Sequence, residues 1–215
     1  MALTPLPEAA TLDDRVSNAA AGLSNAQNGF RLLDKARLLC FFRKPGGLAL
    51  GHDVIKVTTV GLPATFYFSI AHYFAGLGWL LESRNSARSP WFRFRALLRA
   101  FLVRRTLRRW AASCPQNFEH RSLLVEAEWL RSTFRRKRAV RRYEEAVAAA
   151  NEYGYVSDAA LANELAAELQ LETGNQEGAR PHLEAALAGY ARWNADAKVN
   201  DLRGRYHDLL PSTTP

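Results

Sequence analysis

Apolar side chains recur at helical intervals through much of the chain, most clearly after Ser89-Pro90. Serine followed by proline is a typical helix start, because serine caps the first turn and proline tolerates its first position. Five apolar residues then follow the i, i+3, i+4, i+7, i+8 spacing of one helix face: Phe94, Leu97, Leu98, Phe101 and Leu102. The pattern predicts an amphipathic helix over residues 90–113, with this stripe towards the core and arginines on the outer face.

Weaker patterns precede this helix. Residues 12–42 are predicted to be helical, although Gly22 and Gly29 weaken the pattern. A Pro-Gly-Gly sequence at 45–47 then predicts a break in the helix. The β-branched stretch Val54–Val60 is short and isolated, so we interpret it as a loop or a stray extended segment.

A long uncharged window follows, because none of the 25 residues from Val57 to Leu81 is Asp, Glu, Lys or Arg. Such a run is long enough to cross a bilayer, and the neighbouring arginines give a positive-inside signal. Pro63, His72 and several hydroxyl side chains lower its hydropathy, and a buried helix in an all-helical stack has the same composition. We therefore predict a core helix here and keep a membrane anchor through residues 57–81 as an alternative.

From His120 onward the sequence repeats on itself at an offset of 40 residues. The two units place small and bulky apolar residues in the same order. The first unit carries Ala127, Ala139, Tyr143 and Ala146, and the second carries Ala167, Ala179, Leu183 and Ala186. Small side chains at these intervals let two antiparallel helices approach closely, so each unit is predicted to be a helix pair.

One small residue in the first helix and a small, large, small series in the second is the tetratricopeptide arrangement. Gly174 is predicted to be the helix C-cap between the two helices of the second unit. Phe134 occupies the corresponding place in the first unit, which predicts a poorer turn there or a longer helix. The predicted fold is therefore all-α, a tetratricopeptide-like solenoid of antiparallel helix pairs.

The predicted domain organisation has three parts. Residues 1–61 form a poorly defined N-terminal helix and loop, and residues 62–210 form the helical-repeat domain. Within that domain, an earlier and more divergent helix pair precedes the two repeats, and a final helix over 196–210 caps the stack. Residues 211–215, Pro-Ser-Thr-Thr-Pro, are predicted to be a disordered tail.

Charge is distributed unevenly along the chain. Residues 84–142 hold seventeen basic and three acidic side chains, whereas residues 143–215 hold five basic and twelve acidic ones. No acidic residue occurs from Arg84 to Phe118. A block with a net charge of +14 attracts polyanions or an acidic protein surface, and residues 143–215 are its nearest candidate partner.

Catalytic motifs are not found in the sequence. There is no phosphate-binding Gly-rich loop that ends in Lys-Ser or Lys-Thr, and the protein-kinase motifs are missing. The five histidines and two cysteines have no metal-ligand spacing. We therefore predict a non-enzymatic protein with no catalytic residues, no metal and no cofactor. The cysteine usage, and an N-terminus with no secretory signal, predict a cytoplasmic location.

Several ordered motifs from Trp110 onward resemble a known family. They are Trp110-x3-Cys114-Pro115-x-Asn117-Phe118-x-His120-Arg121, Leu124-Val125-Glu126-Ala127-Glu128, Ala160-Leu161-Ala162-Asn163-Glu164-Leu165-Ala166 and Tyr190-x-Arg192-Trp193-x-Ala195-x-Ala197-Lys198-Val199. The series resembles the helical-repeat region of very large signalling proteins. Those proteins join a serine/threonine kinase domain, an AAA/STAND-type ATPase, these repeats, a GAF domain and a sensor histidine kinase.

The resemblance covers roughly residues 62–210 and implies a helical-repeat module that couples signals between domains. The family pattern has Gly where Asn194 stands and another near Phe134. The kinase and ATPase activities of the family are not carried over, because this sequence has neither set of motifs. We expect a detached repeat module whose partners include domains of such a signalling assembly.

The sequence therefore predicts a protein-interaction and signal-coupling module with a basic patch that binds an acidic protein surface. The predicted partner-binding residues are Arg104, Arg105, Arg108, Arg109, Arg135, Arg136, Arg138 and Arg142. Guanidinium groups suit this role because they pair with carboxylates in bidentate fashion. Two alternatives stay open: a membrane-anchored protein, and a basic nucleic-acid-binding protein whose arginines contact phosphates.

Overall fold

The computed structural model describes residues 25–61, 65–85 and 89–210, and within these ranges the chain forms nine α-helices and no strand. The helices are α1 (Asn25–Phe41), α2 (Gly47–Gly61), α3 (Phe66–Ser83), α4 (Pro90–Ser113), α5 (Pro115–Ser132), α6 (Arg136–Glu152), α7 (Val156–Glu172), α8 (Gln176–Arg192) and α9 (Asp196–Arg205). Each helix packs against the next one along the chain. The all-α prediction is confirmed.

Two local predictions differ from the structure, and two more fall on residues outside the described ranges. Val54–Val60 lies within α2, so the prediction of a loop or extended segment there is wrong. The last helix ends at Arg205 rather than near Leu210. The predicted tail over 211–215 and the first part of the predicted helix over 12–42 lie outside the described residues.

Four successive inter-helix turns share one geometry and are spaced by 20 residues. Each places one residue in the left-handed region: Phe134 (φ 62°), Gly154 (φ 77°), Gly174 (φ 76°) and Asn194 (φ 55°). The next residue donates its amide N–H to the carbonyl five positions back, over 2.8 to 3.0 Å, in every turn. This is the Schellman motif, which satisfies the free carbonyls at a helix end. The 40-residue sequence repeat is thus two 20-residue steps of helix and turn.

The small residues of the sequence repeat all lie in the core. Every one of the eight aligned repeat positions is buried: Ala127, Ala139, Tyr143, Ala146, Ala167, Ala179, Leu183 and Ala186. Gly174 lies in the turn between α7 and α8, with no atom near the position that a Cβ would occupy. Its role is therefore conformational, because the turn requires a positive φ.

The uncharged window over 57–81 is divided between α2 and α3. The second half of α3 is buried inside the protein, with Tyr73, Leu77 and Leu80 almost fully covered. In the described part of the chain, no helix has both the length and the apolar character needed to cross a bilayer. The apolar residues in the second half of α3 therefore form core contacts.

The face of α4 that packs in the core is not the predicted one. It lies opposite the face that carries most of the large apolar residues. The buried line is Ala96, Ala100, Val103 and Leu107, whereas Phe94, Leu98 and Leu102 are exposed. The close packing of α3 explains this choice. A Cβ on Gly76 would lie 2.7 Å from Val103 Cγ1, so the two helices approach too closely for larger side chains between them.

The odd-numbered helices form an inner row. Helix α3 contacts both α1 and α5, and α5 also contacts α7. In the described ranges, no such extensive contact joins one even-numbered helix to another. The even-numbered helices α4 and α6 therefore contact mainly their sequence neighbours, and each leaves an outer face uncovered.

Charged side chains are buried between the helices of the inner row. Glu128 of α5 is fully buried; it accepts a hydrogen bond from the Tyr143 hydroxyl and pairs with Arg84 and with Arg131, the latter at 3.2 Å. Arg131 in turn donates to Glu172 of α7. Two cationic partners for one carboxylate satisfy its charge where water cannot.

Glu164 of α7 repeats this arrangement with different partners. It is fully buried and accepts a hydrogen bond of 2.5 Å from the Tyr190 hydroxyl. Lys198 of α9 lies 2.8 Å away and Arg43, which follows α1, lies 3.3 Å away. Arg43 also bonds Glu168 at 2.9 Å. The end of α1 is thereby tied to α7, more than a hundred residues further along the chain.

The ion pairs change the acidity of the buried groups. Burial alone raises the pKa of Glu128, but the charges of Arg84 and Arg131 outweigh it and lower that pKa from 4.5 to about 2. The pKa of Glu164 is lowered in the same way, because Arg43 and Lys198 outweigh its burial. Burial, followed by the neighbouring carboxylate, raises the pKa of Tyr143 well above its usual value.

We predict that Phe134→Gly stabilises the protein by about 0.5 to 1 kcal/mol in urea unfolding. A left-handed conformation costs an L-residue about 1–2 kcal/mol, and the greater freedom of glycine in the unfolded chain offsets part of this gain. Asn194→Gly is the matched control with a smaller expected change, because asparagine tolerates this conformation. An unchanged or lower stability of the Phe134→Gly variant would show that the left-handed backbone at Phe134 is not strained.

We predict that Glu128→Gln lowers the free energy of unfolding at neutral pH by about 3 kcal/mol, because Arg84 and Arg131 lose their buried counter-charge. The folded-state pKa lies below the unfolded one, so the carboxylate stabilises the fold above pH 4.5 and ceases to do so as the pH falls towards about 2. Acid titration of unfolding should therefore show a smaller loss of stability in the variant than in the parent. Glu184→Gln, at an exposed position, should leave the profile unchanged.

Candidate functional site

A cleft lined by arginines lies where α4, α5 and α6 meet. We call it the arginine cleft. It has a volume of about 250 Å³, and it is lined by Arg104, Glu126, Leu130, Arg135, Arg138, Arg141, Arg142 and Glu145. The 20-residue step brings these residues together, because it folds the start of α6 back beside the end of α5, which also packs on α4.

Positive charge in the arginine cleft exceeds negative charge. Glu126 pairs with Arg104 at 3.0 Å, and Glu145 pairs with Arg142 and lies 4.0 Å from Arg141. Two carboxylates thus face five guanidinium groups. Among the described residues, none offers a carboxylate within ion-pair distance of the two remaining arginines, Arg135 and Arg138. Their N–H groups are free to bind an anion.

Arg104 is fixed in place more firmly than its neighbours. Its guanidinium lies 5.1 Å from the ring centre of Trp129 and 5.4 Å from that of Phe101. These cation–π contacts and the ion pair with Glu126 hold the charge at the wall of the cleft. A preorganised guanidinium loses little side-chain entropy when a ligand binds.

The first turn of α6 adds to the positive charge. Arg136, Lys137 and Arg138 occupy it, and no side chain caps this helix start. The three helices that follow each carry an acidic residue in the first turn: Asp158 in α7, Glu177 in α8 and Asp196 in α9. Because the N-terminus of a helix carries a partial positive charge, three cations there are unfavourable without an anion nearby.

Phe134 lies beside the arginine cleft, next to Arg135. Its side chain is 76% exposed and its φ is positive, although glycine fills the corresponding place in the next two turns. An open depression of about 480 Å³ lies between Phe134 and the four basic residues that follow it. Strained residues of this kind are concentrated at binding and catalytic sites. The exposed ring of Phe134 therefore adds an apolar contact beside the arginine cleft.

The predicted partner-binding arginines fall into two groups. Arg104, Arg135, Arg138 and Arg142 line the arginine cleft, and Arg136 lies beside Phe134. The other three lie outside the cleft on α4: Arg105, Arg108 and Arg109, all exposed. Arg141, Glu126, Glu145 and the strain at Phe134 were not predicted. The run of basic residues over 135–142 signals Arg141, but only the tertiary packing shows that Glu126 faces Arg104.

A second cavity of about 400 Å³ lies on the inner side, between the end of α1, the end of α3 and α7. Its arginines Arg43, Arg84 and Arg131 are already paired with Glu128, Glu164, Glu168 and Glu172. Little positive charge is left there for a ligand. Within the described ranges, no group of three or more His, Cys, Asp or Glu side chains is placed to hold a metal ion.

Comparison with protein-family models, with curated proteins and with solved structures finds no significant match to this chain. The resemblance to the repeats of large signalling proteins therefore stays a prediction.

We predict that Lys137→Glu stabilises the protein by about 0.3 to 1 kcal/mol at low salt, because it supplies the negative charge that the first turn of α6 lacks. Glu177→Lys on α8 is the matched reversal at the equivalent position, and it should destabilise by a similar amount. Both differences should shrink at high salt in urea unfolding. If Lys137→Glu and the parent are equally stable at low salt, the positive charge in the first turn of α6 does not destabilise the helix.

Proposed function

We propose that this protein is a non-catalytic helical-repeat scaffold that binds an acidic segment of a partner protein in the arginine cleft. The observation that carries the proposal is the surplus of guanidinium groups there, since no carboxylate of the described residues pairs with Arg135 or Arg138. Clusters of arginine are a recurrent means of recognising acidic motifs. The partner would supply the carboxylates that the cleft lacks.

A tetratricopeptide-like stacking of the helices is part of this proposal. It is supported by the constant 20-residue step, the four equivalent turns and the inner row of odd-numbered helices. Stacked helix pairs present extended surfaces whose shape depends only on neighbouring units. Such a scaffold suits signal coupling in a kinase and ATPase assembly, the role that the family resemblance implies.

An acidic peptide fits the arginine cleft better than a nucleic acid does. The cleft is narrow and contains two carboxylates of its own, which repel a continuous phosphate backbone. Non-specific nucleic-acid sites combine basic grooves with several aromatic rings on which bases stack. Here one exposed ring, Phe134, lies next to the cleft. A short run of Glu or Asp side chains matches the spacing of separate guanidinium groups more closely.

We predict that the protein binds a fluorescein-labelled poly-glutamate peptide, measured by anisotropy at moderate salt. Arg135→Gln combined with Arg138→Gln should weaken binding by about tenfold per arginine, because each charge-assisted hydrogen bond contributes about 1.5 kcal/mol or more. Arg180→Gln removes an equally exposed arginine from α8 and should leave binding unchanged.

Two outcomes would contradict the proposal. Equal losses in the Arg180→Gln control and in the double variant would show that the peptide responds only to net charge. Tighter binding of single-stranded DNA than of poly-glutamate, lost in the same double variant, would identify the cleft as a nucleic-acid site.

A further inference from the structure

The outward face of α4 carries a row of large apolar side chains on which none of the described residues packs closely. Trp91, Phe94, Leu98 and Leu102 are 66%, 54%, 51% and 57% exposed. Their spacing of three, four and four residues places them on one side of the helix. The Trp91 and Phe94 rings are stacked with their centres 5.6 Å apart. Single exposed apolar residues are ordinary, but a continuous row on one helix is typical of a binding surface.

The position of α4 in the fold leaves this row uncovered. Its buried line, centred on Ala100 and Val103, faces α3 and α5. In the described part of the chain, these two helices are the only ones with extensive contacts to α4. The exposed row lies on the opposite side of α4 from the buried line, so the helices of the described ranges supply no partner for it.

The charge around the row has one sign. Helix α4 contains seven arginines and no acidic residue. Arg95 lies beside Phe94 and Leu98, and Arg105 and Arg109 continue the same face beyond Leu102. All three are exposed, and in the described part of the chain none of them has an ion-pair partner. The face is therefore both apolar and strongly cationic.

We propose that the outward face of α4 docks on the surface of an anionic lipid bilayer. The helix lies parallel to the membrane, with Trp91, Phe94, Leu98 and Leu102 inserted between the headgroups. Arg95, Arg105 and Arg109 contact lipid phosphates at the same depth. An exposed apolar row with tryptophan at one end and arginines along it is the composition of an interfacial helix. This inference does not depend on the proposed function, because the arginine cleft is lined from α4 by Arg104 alone.

The geometry favours a bilayer over a protein partner. The apolar row belongs to one helix, and among the described helices none adds a second wall that would form a groove for a peptide. A protein would have to supply an apolar strip together with separate carboxylates for the arginines along about 27 Å of helix. An anionic bilayer offers both as continuous layers, with phosphates above acyl chains.

Co-sedimentation with vesicles tests the proposal. The full chain should pellet with phosphatidylcholine vesicles that contain phosphatidylserine and remain largely in the supernatant with phosphatidylcholine alone. Leu98→Gln combined with Leu102→Gln should weaken binding by about tenfold or more, because two apolar side chains no longer insert. Val60→Gln, at an exposed valine of α2, is the matched control and should bind like the parent.

A second variant separates charge from insertion. Arg105→Gln combined with Arg109→Gln should lower the affinity for phosphatidylserine vesicles and reduce its dependence on salt, whereas the leucine variant should keep that dependence. Unchanged helical circular dichroism confirms folding in each case. The leucine variant should still bind poly-glutamate, which separates this test from that of the arginine cleft.

Three results would overturn the proposal. They are no binding to phosphatidylserine vesicles, equal binding by the leucine variant and the parent, and a self-associated parent that the leucine variant converts to a monomer in sedimentation equilibrium. The last result would assign the face to a second copy of this chain.

Discussion

The buried carboxylates of Glu128 and Glu164 are the constraint on which the arrangement of the helices depends. Each is removed from water and each needs a tyrosine from the following helix and cations from distant elements. Removing a charge from water costs several kcal/mol, which only close and complete pairing repays. Helices α1 and α3, which are followed by Arg43 and Arg84, and α9, which carries Lys198, must therefore converge on α5 and α7 in one register. Apolar packing alone would tolerate several registers, since alanine-rich surfaces slide past one another with little change in buried area.

The repeat could be predicted from the sequence because close helix packing selects small side chains at fixed intervals, as at Ala127 and Ala167. The shorter step of 20 residues could not be predicted from the sequence, because only two of its four turns have glycine at the left-handed position. The other two have Phe134 and Asn194 there. Backbone conformation repeats more regularly than the side chains that produce it. Phe134 shows this best, since its identity predicts a poor turn and the structure forms the same motif as at Gly154.

The wrong predictions have a common physical cause. The local pattern of residue types favours one conformation or one face, but tertiary packing decides which one forms. The β-branched residues of Val54–Val60 have modest helix propensity, but the contacts of α2 with α1 and α3 decide its conformation. In α4, bulky residues suggested a core face, whereas the core accepts only the small line that includes Ala96. The charge block likewise predicted many arginines of the candidate site, but only the packing of α4, α5 and α6 shows that Arg104 and Arg138 share a cleft and that Arg109 does not.

The ion pairs that join Arg43 to Glu164 and Glu168 of α7 affect how the helices unfold. An open array of repeats loses its end units one at a time, because each unit is held only by its neighbour. Here Arg43, in the turn after α1, is paired with Glu164 and Glu168 of α7, so detachment of α1 must also break ion pairs with a helix more than a hundred residues further along the chain. Unfolding then becomes a concerted event. The chain must also close a loop of more than a hundred residues before the native state is complete, and this slows folding compared with a helical protein held together by local contacts alone.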